Sequence, residues 1–517
     1  MRKAYLPRPA GLPGANNPRR IYSTTPIEID LARSSDQFRC IQISEPNLIF
    51  GDRGSCTDPR TGLALFGPYG TPEIGDVTPI RVGIVGTLEG IEVALSLLQE
   101  LRGPIDQDAN IDCVLHPSFP GINSRHPFRS SFVSRPEWLK PLDREALCVA
   151  SELEKLSARI RRLEEMFCEQ VRTLSELNNP PQVVLCAVNE SISSLLADDP
   201  VSDSTEHVSP VASSWDGNTG CSQQVMQTFQ AGLKAACMGS LPTELLWDAR
   251  NSKPYLNRDR ATQAWNLSLA LLHKAGVTPW RLENAAEASC FVGISNYSSS
   301  NCTSPKMTGS FAHIFTELGQ GFVVPGDPFE ESSEPGNSVA AKRSEEHARR
   351  LLMRAVGVFE DCVGFPPRKV IVHKTTPYSQ AERSGFGQVL SQVPTHALIT
   401  VSRSGISFIR PGCKPLLRGT SIPFDEKTGL IATSGYVPFL RAPAGNELTQ
   451  PLAISENWGS ISFRQAAEDI LRLTKLNLSS PDFCSELPIT LSQNTEIGDV
   501  LSASGQQCAP TIDTYYV

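Results

Sequence analysis

The order of apolar and polar residues predicts a chain of alternating strands and helices. Continuous apolar runs at 181–188 and 369–372 predict buried strands. Apolar residues at three- and four-residue spacing predict amphipathic helices at 144–177, 223–238 and 262–275. Strands that alternate with helices in this way indicate a mixed α/β protein, which divides into two halves.

Two predicted strands in the C-terminal half end in uncharged polar residues. Residues 290–294 lead into Ser295, and residues 369–372 lead through His373 and Lys374 into Thr375. Two-metal nucleases place aspartates at such strand ends, because Mg²⁺ prefers anionic oxygen ligands in fixed positions. The pattern therefore predicts the strands of a nuclease scaffold without its metal ligands.

Length and composition are those of an ordinary globular protein. The 517 residues are 40% hydrophobic and 20% charged, enough for two to four domains of about 100 to 200 residues each. No apolar run is long enough to span a membrane, and residues 1–20 lack the apolar core of a signal peptide. We therefore expect a cytoplasmic protein without membrane association.

The 14 cysteines are scattered and form no Cys-x-x-Cys pair. Zinc sites and disulfide frameworks need clustered cysteines, so we expect free thiols in a reducing compartment.

The formal net charge of −8 argues against nucleic-acid binding by bulk electrostatics. The charge is unevenly distributed along the sequence. Four basic residues in the C-terminal half have no acidic residue near them in the sequence. They are Arg403, Arg410, Lys414 and Arg418. A basic cleft inside an acidic surface is therefore allowed.

A strand, a glycine turn and a helix are predicted between Ile80 and Leu101. Gly83, Gly86 and Gly90 do not have the Gly-x-Gly-x-x-Gly spacing of a dinucleotide site. A nucleotide-binding metabolic enzyme stays an alternative, but no acidic ribose partner or catalytic constellation accompanies the glycines.

Several short segments, in the same order, resemble the MID and PIWI domains of short prokaryotic Argonautes. The resemblance covers about residues 42 to 517. It rests on EPNLIF (45–50), CTDPRTGLALFGP (56–68), KAGVTPWRL (274–282), TSGYVP (433–438), LTKLN (473–477) and YYV (515–517).

This resemblance implies an α/β fold in which a Rossmann-like MID domain precedes an RNase H-like PIWI domain. The expected boundaries are 42–279 for MID and 280–517 for PIWI. Residues 1–41, rich in Pro, Arg and Ser, are expected to form an extension without stable structure.

In that family the MID domain anchors the 5′ phosphate of a guide strand. The matching positions are Lys234, Gln230 one helical turn earlier, Lys274, and Val517, whose carboxylate would bind magnesium. Glu244 stands where the family usually has glutamine. A carboxylate repels a phosphate unless a cation lies between them, so we expect the site to depend on magnesium, with Glu244 as a further ligand.

The slicing members of the family use three or four acids, and the matching positions here are Ser295 and Thr375. The C-terminal acid or histidine has no counterpart in 514–516. The resemblance therefore implies binding without cutting. Guide or target backbone contact is expected from six residues, namely Arg403, Arg410, Lys414, Arg418, Lys475 and Asn477.

Non-slicing short Argonautes act through a partner that carries an APAZ region fused to an effector enzyme. The resemblance implies a guide RNA, a single-stranded DNA target and a heterodimer with such a partner, which could oligomerise on target binding. A TIR NADase is the expected effector, with a sirtuin-like NADase or a nuclease as alternatives. A self-sufficient guided nuclease and a purely structural scaffold are the competing hypotheses.

Overall fold

The computed structural model describes most of the chain from Cys40 onward. The described residues are 40–70, 78–108, 116–125, 127–197, 223–247, 259–285, 288–298, 307–327, 329–330, 338–408, 416–444, 449–504 and 511–517. Arg410, Lys414 and nearly all of the expected N-terminal extension lie outside them.

Apolar spacing predicts the helices within 144–177, 223–238 and 262–275, which are among the twelve α-helices of the described residues. The twelve are α1 (Pro59–Phe66), α2 (Leu88–Glu100), α3 (Arg144–Ser151), α4 (Leu156–Ser175), α5 (Glu190–Leu195), α6 (Gln223–Ala236), α7 (Arg260–Lys274), α8 (Ser338–Val363), α9 (Gln380–Leu390), α10 (Phe463–Leu473), α11 (Ile489–Ser492) and α12 (Asn494–Ser504).

The strands of the same residues form four sheets. They are β1 (Ile41–Gln42), β2 (Leu48–Ile49), β3 (Ser55–Cys56), β4 (Thr78–Gly86), β5 (Ser130–Val133), β6 (Leu139–Pro141), β7 (Val183–Val188), β8 (Thr243–Trp247), β9 (Arg281–Leu282), β10 (Ser289–Ser298), β11 (Met307–Thr316), β12 (Gly321–Pro325), β13 (Phe329–Glu330), β14 (Lys369–Lys374), β15 (Thr395–Arg403), β16 (Thr420–Pro423), β17 (Gly429–Ile431), β18 (Gly435–Val437), β19 (Ala442–Ala444), β20 (Leu452–Gly459) and β21 (Thr511–Ile512).

A parallel sheet forms the centre of the N-terminal half. Its order is β5-β4-β7-β8, with β6 also paired to β4. Apolar residues of α2 and α7 join a core with Ile84 and Leu185, whereas α4 and α6 join a second core with Val184 and Cys186. Because neighbouring strand residues point to opposite faces, the sheet is covered on both sides, as the Rossmann-like prediction requires.

The predicted helix at 144–177 is two helices, α3 and α4, separated by a short turn. The apolar periodicity runs on across the turn, since Leu147 and Leu156 both pack against the same core. The spacing of apolar residues predicts which face of a helix is buried, but it does not predict the turn between α3 and α4.

The second half contains a large mixed sheet. Among the described residues its main order is β1-β16-β17-β20-β15-β14-β10-β11-β12-β21. β11 runs antiparallel to both of its neighbours, β10 and β12, while β14 and β15 lie parallel to β10 on its other side. Three antiparallel strands followed by two parallel ones give the RNase H-like arrangement that the resemblance implies.

Ser295 lies inside a strand, which corrects the expectation that the strand ends at residue 294. β10 continues to Ser298 because every residue from 290 to 298 pairs with β11. Gly293 is level with His373 of the parallel strand β14. This is the last pair between the two strands: Ser295 lies further along β10, and Thr375 lies just beyond the end of β14.

The segment that precedes the parallel sheet packs on the second half of the chain. β1 pairs with β16, and β2 lies between β3 and β9. Ile43, Leu48, Phe50 and Leu63 share a core with residues of β15, β20 and α10. The first signature segment, EPNLIF, therefore lies beside elements more than 350 residues away in sequence.

None of the helices in the described part of the chain is both long enough and apolar enough to cross a membrane.

Candidate functional site

Two buried lysines, a glutamate and the last residues of the chain converge between four elements. Lys234 lies in the last turn of α6, Glu244 in β8, and Lys274 at the end of α7. Tyr516 and Val517 follow a short 3-10 helix, Asp513–Tyr515. We call this group, made of Lys234, Glu244, Lys274, Tyr516 and Val517, the two-lysine site.

The ends of α7 fix the position of Lys274. Asp259 caps the N-terminus by accepting a hydrogen bond from the backbone N–H of Thr262 at 3.1 Å. At the other end Gly276 has a φ of 86°, a left-handed conformation that favours glycine and ends helices. The KAG sequence at 274–276 therefore holds Lys274 in the final turn, facing the start of β8.

Lys274 is fully engaged inside the protein. Its Nζ donates hydrogen bonds to the carbonyl oxygen of Thr243 at 2.8 Å and to Oε2 of Glu244 at 2.5 Å. The Lys274 side chain is 1% exposed and that of Glu244 is 22% exposed. Glu244 therefore offsets the charge of Lys274 and is also the more accessible partner.

Lys234 has a neutral partner instead of an acid. Its Nζ donates to the carbonyl oxygen of Tyr516 at 3.1 Å, and the residue is buried. Burial lowers the pKa of Lys234 to about 7; the charge of Lys274 lowers it further, and Glu244 and Glu496 oppose the shift. A buried ammonium without an adjacent carboxylate is stabilised by any anion that reaches it.

Asp513 anchors the final turn beside these lysines. Its carbonyl oxygen accepts hydrogen bonds from the backbone N–H groups of Tyr516 at 2.7 Å and Val517 at 3.2 Å. Its carboxylate lies 3.7 Å from Nε2 of the buried His313, and β21 just before it pairs with β12. Residues 511–517 are thus attached to the second half of the chain, and Tyr516 contacts Lys234 of the first half.

Residues 514–516, in which the resemblance finds no counterpart of the C-terminal nuclease acid or histidine, lie at the two-lysine site. α11 and α12 are among the helices that pack on β10, the strand of Ser295. Gly293 of β10 is in close contact with Thr490 of α11, where a Cβ would overlap the Thr490 carbonyl oxygen.

The structure brings together four of the five residues expected to hold a guide phosphate. They are Lys234, Glu244, Lys274 and Val517, and each comes from a different element. Gln230 lies one helical turn before Lys234 on α6 and is half-buried. Sequence reasoning gave no role to Asp513, which follows the last α-helix and carries no local motif.

The protein oxygens at this site are too few to surround a magnesium ion, so they fit one only if phosphate or water oxygens complete its coordination. The described residues include no cluster of three or more His, Cys, Asp or Glu side chains that could hold a metal. Val517 is half-buried, and the carboxylate that the resemblance implies there would offer oxygen, while one oxygen of Glu244 is bound to Lys274. Mg²⁺ commonly takes one or two carboxylates together with phosphate oxygens and water, which this set allows.

Arg418 and Lys475 are interior residues, which corrects their expected contact with a nucleic-acid backbone. The Arg418 and Lys475 side chains are 1% and 0% exposed and both bind the Glu45 carboxylate, each at 2.9 Å. Lys475 also donates to the carbonyl oxygens of Thr57 and Phe483, and Arg418 donates to Oγ1 of Thr474 at 2.7 Å. Their charges hold the EPNLIF segment onto the second half.

The remaining backbone-contact candidates differ in exposure. Arg403 is at the surface, with 64% of its side chain exposed, and forms a bidentate pair with Glu486 at 3.0 and 2.7 Å. Asn477 is half-buried, accepts a hydrogen bond from Ser479 at 2.9 Å and lines a small cavity of about 60 Å³. Arg403 and Asn477 thus stay candidates for backbone contact.

Ser295 and Thr375, which the sequence comparison matches to nuclease acids, differ in exposure. Ser295 is half-buried and Thr375 is exposed just beyond β14. His373 of β14 has its Nδ1 3.0 Å from Oγ1 of Thr490, and its pKa is lowered to about 3, mainly by burial. His373 is therefore neutral near pH 7 and adds no charge to this part of the sheet.

Solved structures with the same fold are Argonaute and Piwi proteins. The Argonaute of Clostridium butyricum, bound to a guide DNA and a 19-mer target DNA, matches 93% of this chain with a TM-score of 0.57 and 13% identity. Drosophila Piwi matches 92% with a TM-score of 0.54 and 12% identity, and Aquifex aeolicus Argonaute matches 92% with 0.51 and 14%. The chain spans 55 to 57% of the length of these three proteins.

No protein-family model and no curated protein sequence matches the chain. At identities of 12 to 14% the structural likeness establishes the fold and not the activity. The chain has an Argonaute-like α/β fold, in which a Rossmann-like domain precedes an RNase H-like domain, as the sequence predicts.

Proposed function

We propose that this chain binds the 5′ phosphate of a guide strand at the two-lysine site and pairs that guide with a target. The observation that carries the proposal is the convergence of Lys234 and Lys274, both buried, with the final turn of the chain in an Argonaute-like fold. These two lysines come from α6 and α7, and the final turn comes from the other half.

The charges of the site suit a terminal phosphate. Lys234 donates to a neutral carbonyl oxygen, and the charges of Glu244 and Glu496 offset only part of the cost of its burial. A phosphate near Nζ would add a charge-assisted hydrogen bond, and such bonds are about twice as strong as neutral ones. Lys274 could join it by exchanging one contact with Glu244 for one with the phosphate.

The guide is proposed to be RNA and the target single-stranded DNA, as the resemblance to short Argonautes implies. The Clostridium butyricum structure contains a guide DNA, so the type of guide is a specific point for experiment. Base pairing would supply sequence specificity, while the protein would recognise the shape and phosphates of the duplex. Arg403 and Asn477, with Arg410 and Lys414, are the candidates for that contact.

The chain is proposed to bind its target without cutting it. The proposal is supported by Ser295 and Thr375, which carry hydroxyl groups at the positions that the resemblance matches to the carboxylates of a two-metal nuclease. An output would then come from a partner in the same complex. We propose a TIR NADase joined to an APAZ region, with a sirtuin-like NADase or a nuclease as the alternative effector, in a cytoplasmic heterodimer.

The lysines of the two-lysine site provide the first test. Binding of a short RNA with a 5′ phosphate is compared with binding of the same RNA with a 5′ hydroxyl, for the wild type and for Lys234→Met combined with Lys274→Met. We expect the wild type to prefer the phosphate by about tenfold or more, equal to roughly 1.4 kcal/mol, and the double variant to lose the preference.

Lys155→Met is the matched control, because Lys155 is an exposed lysine of the same half. It should retain the wild-type preference. A double variant that folds and still prefers the phosphate would place the phosphate site elsewhere. A wild type that binds neither RNA nor DNA, even with its native partner, would favour the scaffold hypothesis.

A further inference from the structure

Two cysteines that are far apart in sequence meet behind the two-lysine site. Cys168 lies in the middle of α4, and Cys237 directly follows the last residue of α6. The Cys168 Sγ donates to the carbonyl oxygen of Ala236, the residue before Cys237, at 3.0 Å, and the neighbouring Cys237 thiol lowers the pKa of Cys168. Both are free cysteines in one hydrophobic core.

A pocket gives small molecules a route to this pair. It has a volume of about 380 Å³, and Cys168, Arg172 and Ala236 are part of its wall. The Arg172 guanidinium and the neighbouring Cys237 thiol both favour the thiolate of Cys168, and the Cys237 thiol lowers its pKa more than burial raises it. Cys168 is therefore the thiol that a solute in the pocket would meet in reactive form.

We propose that Cys168 and Cys237 form a reversible disulfide when the protein meets hydrogen peroxide. The Cys168 thiolate attacks one peroxide oxygen, the O–O bond breaks, and the leaving hydroxide takes a proton to become water. The Cys237 sulfur then attacks the resulting sulfenic acid, and a second water leaves as the S–S bond forms. Two thiols and one peroxide give one disulfide and two waters.

The disulfide would act on the two-lysine site, an effect that rests on the proposed function. The backbone N–H of Cys237 donates to the carbonyl oxygen of Leu233 at 3.0 Å, so Cys237 continues the helical turn that contains Lys234. An S–S bond is about 2.05 Å long, which is shorter than a contact between two thiols, so the two sulfurs must approach each other when it forms and we expect the end of α6 to move towards α4. We expect the movement to shift Lys234 away from Tyr516 and to weaken phosphate binding.

The formation of the disulfide is tested without any nucleic acid. The reduced full-length protein is treated with hydrogen peroxide, its remaining thiols are blocked, and the linked peptides are mapped by mass spectrometry. We expect a Cys168–Cys237 link that dithiothreitol removes. A pair that stays reduced while the exposed Cys148 and Cys362 react would overturn the proposal.

Two variants identify the partner of Cys168. Cys186, on β7, is buried in the same core and is the matched control. Cys186→Ala should form the same link, whereas Cys237→Ala should stop at the sulfenic acid of Cys168. A Cys168–Cys186 link in the wild type would overturn the assignment of Cys237.

The effect on the two-lysine site is read from the preference for a 5′-phosphorylated over a 5′-hydroxyl RNA. We expect the preference to fall by about fivefold or more on oxidation, the lower end of coupling between linked sites. It should return with dithiothreitol and stay unchanged in Cys237→Ala. An unchanged preference in the disulfide form would overturn the coupling, whereas a reduced protein with no preference would contradict the proposed function instead.

Discussion

At the scale of single residues, Glu244 determines how much positive charge the two-lysine site can offer. It holds Lys274 at 2.5 Å and is itself 22% exposed. The sequence comparison treats Glu244 as repulsive to a phosphate unless magnesium intervenes. In the structure the Lys274 ammonium already lies against this carboxylate, so the two groups offset each other before any ligand arrives.

The substitution Glu244→Gln should therefore strengthen phosphate binding. The amide keeps the shape of the side chain but releases the charge of Lys274, so we expect affinity for a 5′-phosphorylated guide to rise by about tenfold, or roughly 1.4 kcal/mol. Titrations with magnesium and with a chelator measure this. The wild type should lose affinity in chelator and the variant should lose less, whereas equal affinity of the wild type in both would contradict a role for magnesium.

Lys234 should make phosphate binding depend on pH. Its pKa is lowered to about 7, so above this pH the unliganded protein loses the proton that a phosphate requires. Phosphate binding must then take up a proton, and the preference for a 5′ phosphate should fall by about tenfold or more between pH 7 and pH 9. The affinity for a 5′-hydroxyl guide provides the baseline, and a flat ratio would show that Lys234 is not the phosphate ligand.

Sequence reasoning could select the lysines of the site but could not separate them from the interior cations. Lys234 and Lys475 both match family positions, and both are buried. Charged residues are mostly exposed in proteins, so composition alone favours the surface for each. The difference lies in Glu45, which binds Lys475 and Arg418 across more than 370 residues, and no local pattern shows such a contact.

At the scale of secondary-structure elements, the segment from β1 to α1 is joined to the second half by ionic bonds. Burial alone would raise the pKa of Glu45. The charges and hydrogen bonds of Arg418 and Lys475 lower it by more than burial raises it, so the carboxylate is charged. A capping box at Ser462 and Gln465 begins α10, and Lys475 follows its last turn. The LTKLN and EPNLIF segments therefore form two sides of one buried interaction.

Removing the carboxylate should destabilise the protein. In Glu45→Gln two interior cations lose their counter-charge, and breaking such buried pairs costs about 3 kcal/mol or more. The free energy of unfolding in urea measures the change. Glu486→Gln is the control, because the Arg403–Glu486 pair is exposed and should contribute less than about 1 kcal/mol; equal losses would mean that the Glu45 interaction is not a buried ionic link.

Element boundaries were the least predictable part of the fold. The positions of α7, α10 and β7 follow from apolar periodicity and from caps that lie within a few residues. The length of β10 depends instead on its partner β11, which pairs with it as far as Ser298. A strand continues where a neighbour offers hydrogen bonds, so its end is a property of the sheet.

At the scale of the whole molecule, the two halves have separate tasks in the proposed function. The first half supplies both lysines, and the second supplies the sheet on which a guide–target duplex would lie. The fold could be predicted because the signature segments keep their order along the chain. The site could be predicted only in part, because the tail reaches Lys234 through an anchor, Asp513, that the motifs do not include.

The proposal that the protein does not cut its target is tested on the whole protein with a guide and a target bound. With a guide and a complementary target, the purified protein should leave the target intact in magnesium, because Ser295 and Thr375 cannot replace carboxylate ligands. Gel analysis of an end-labelled target checks this, with a two-metal RNase H as the positive control. Guide-directed, magnesium-dependent products would contradict the proposal and support a self-sufficient nuclease.

The nucleic acid that copurifies with the native complex tests the central claim most directly. The account predicts short RNA with a 5′ phosphate, identified by end-labelling before and after phosphatase treatment and by its sensitivity to RNase. The same complex carrying Lys234→Met and Lys274→Met should contain little of it, and the Lys155→Met complex should contain the wild-type amount. Equal amounts of bound nucleic acid in the wild type and the double variant, or strands without a 5′ phosphate, would contradict a guide held by the two-lysine site.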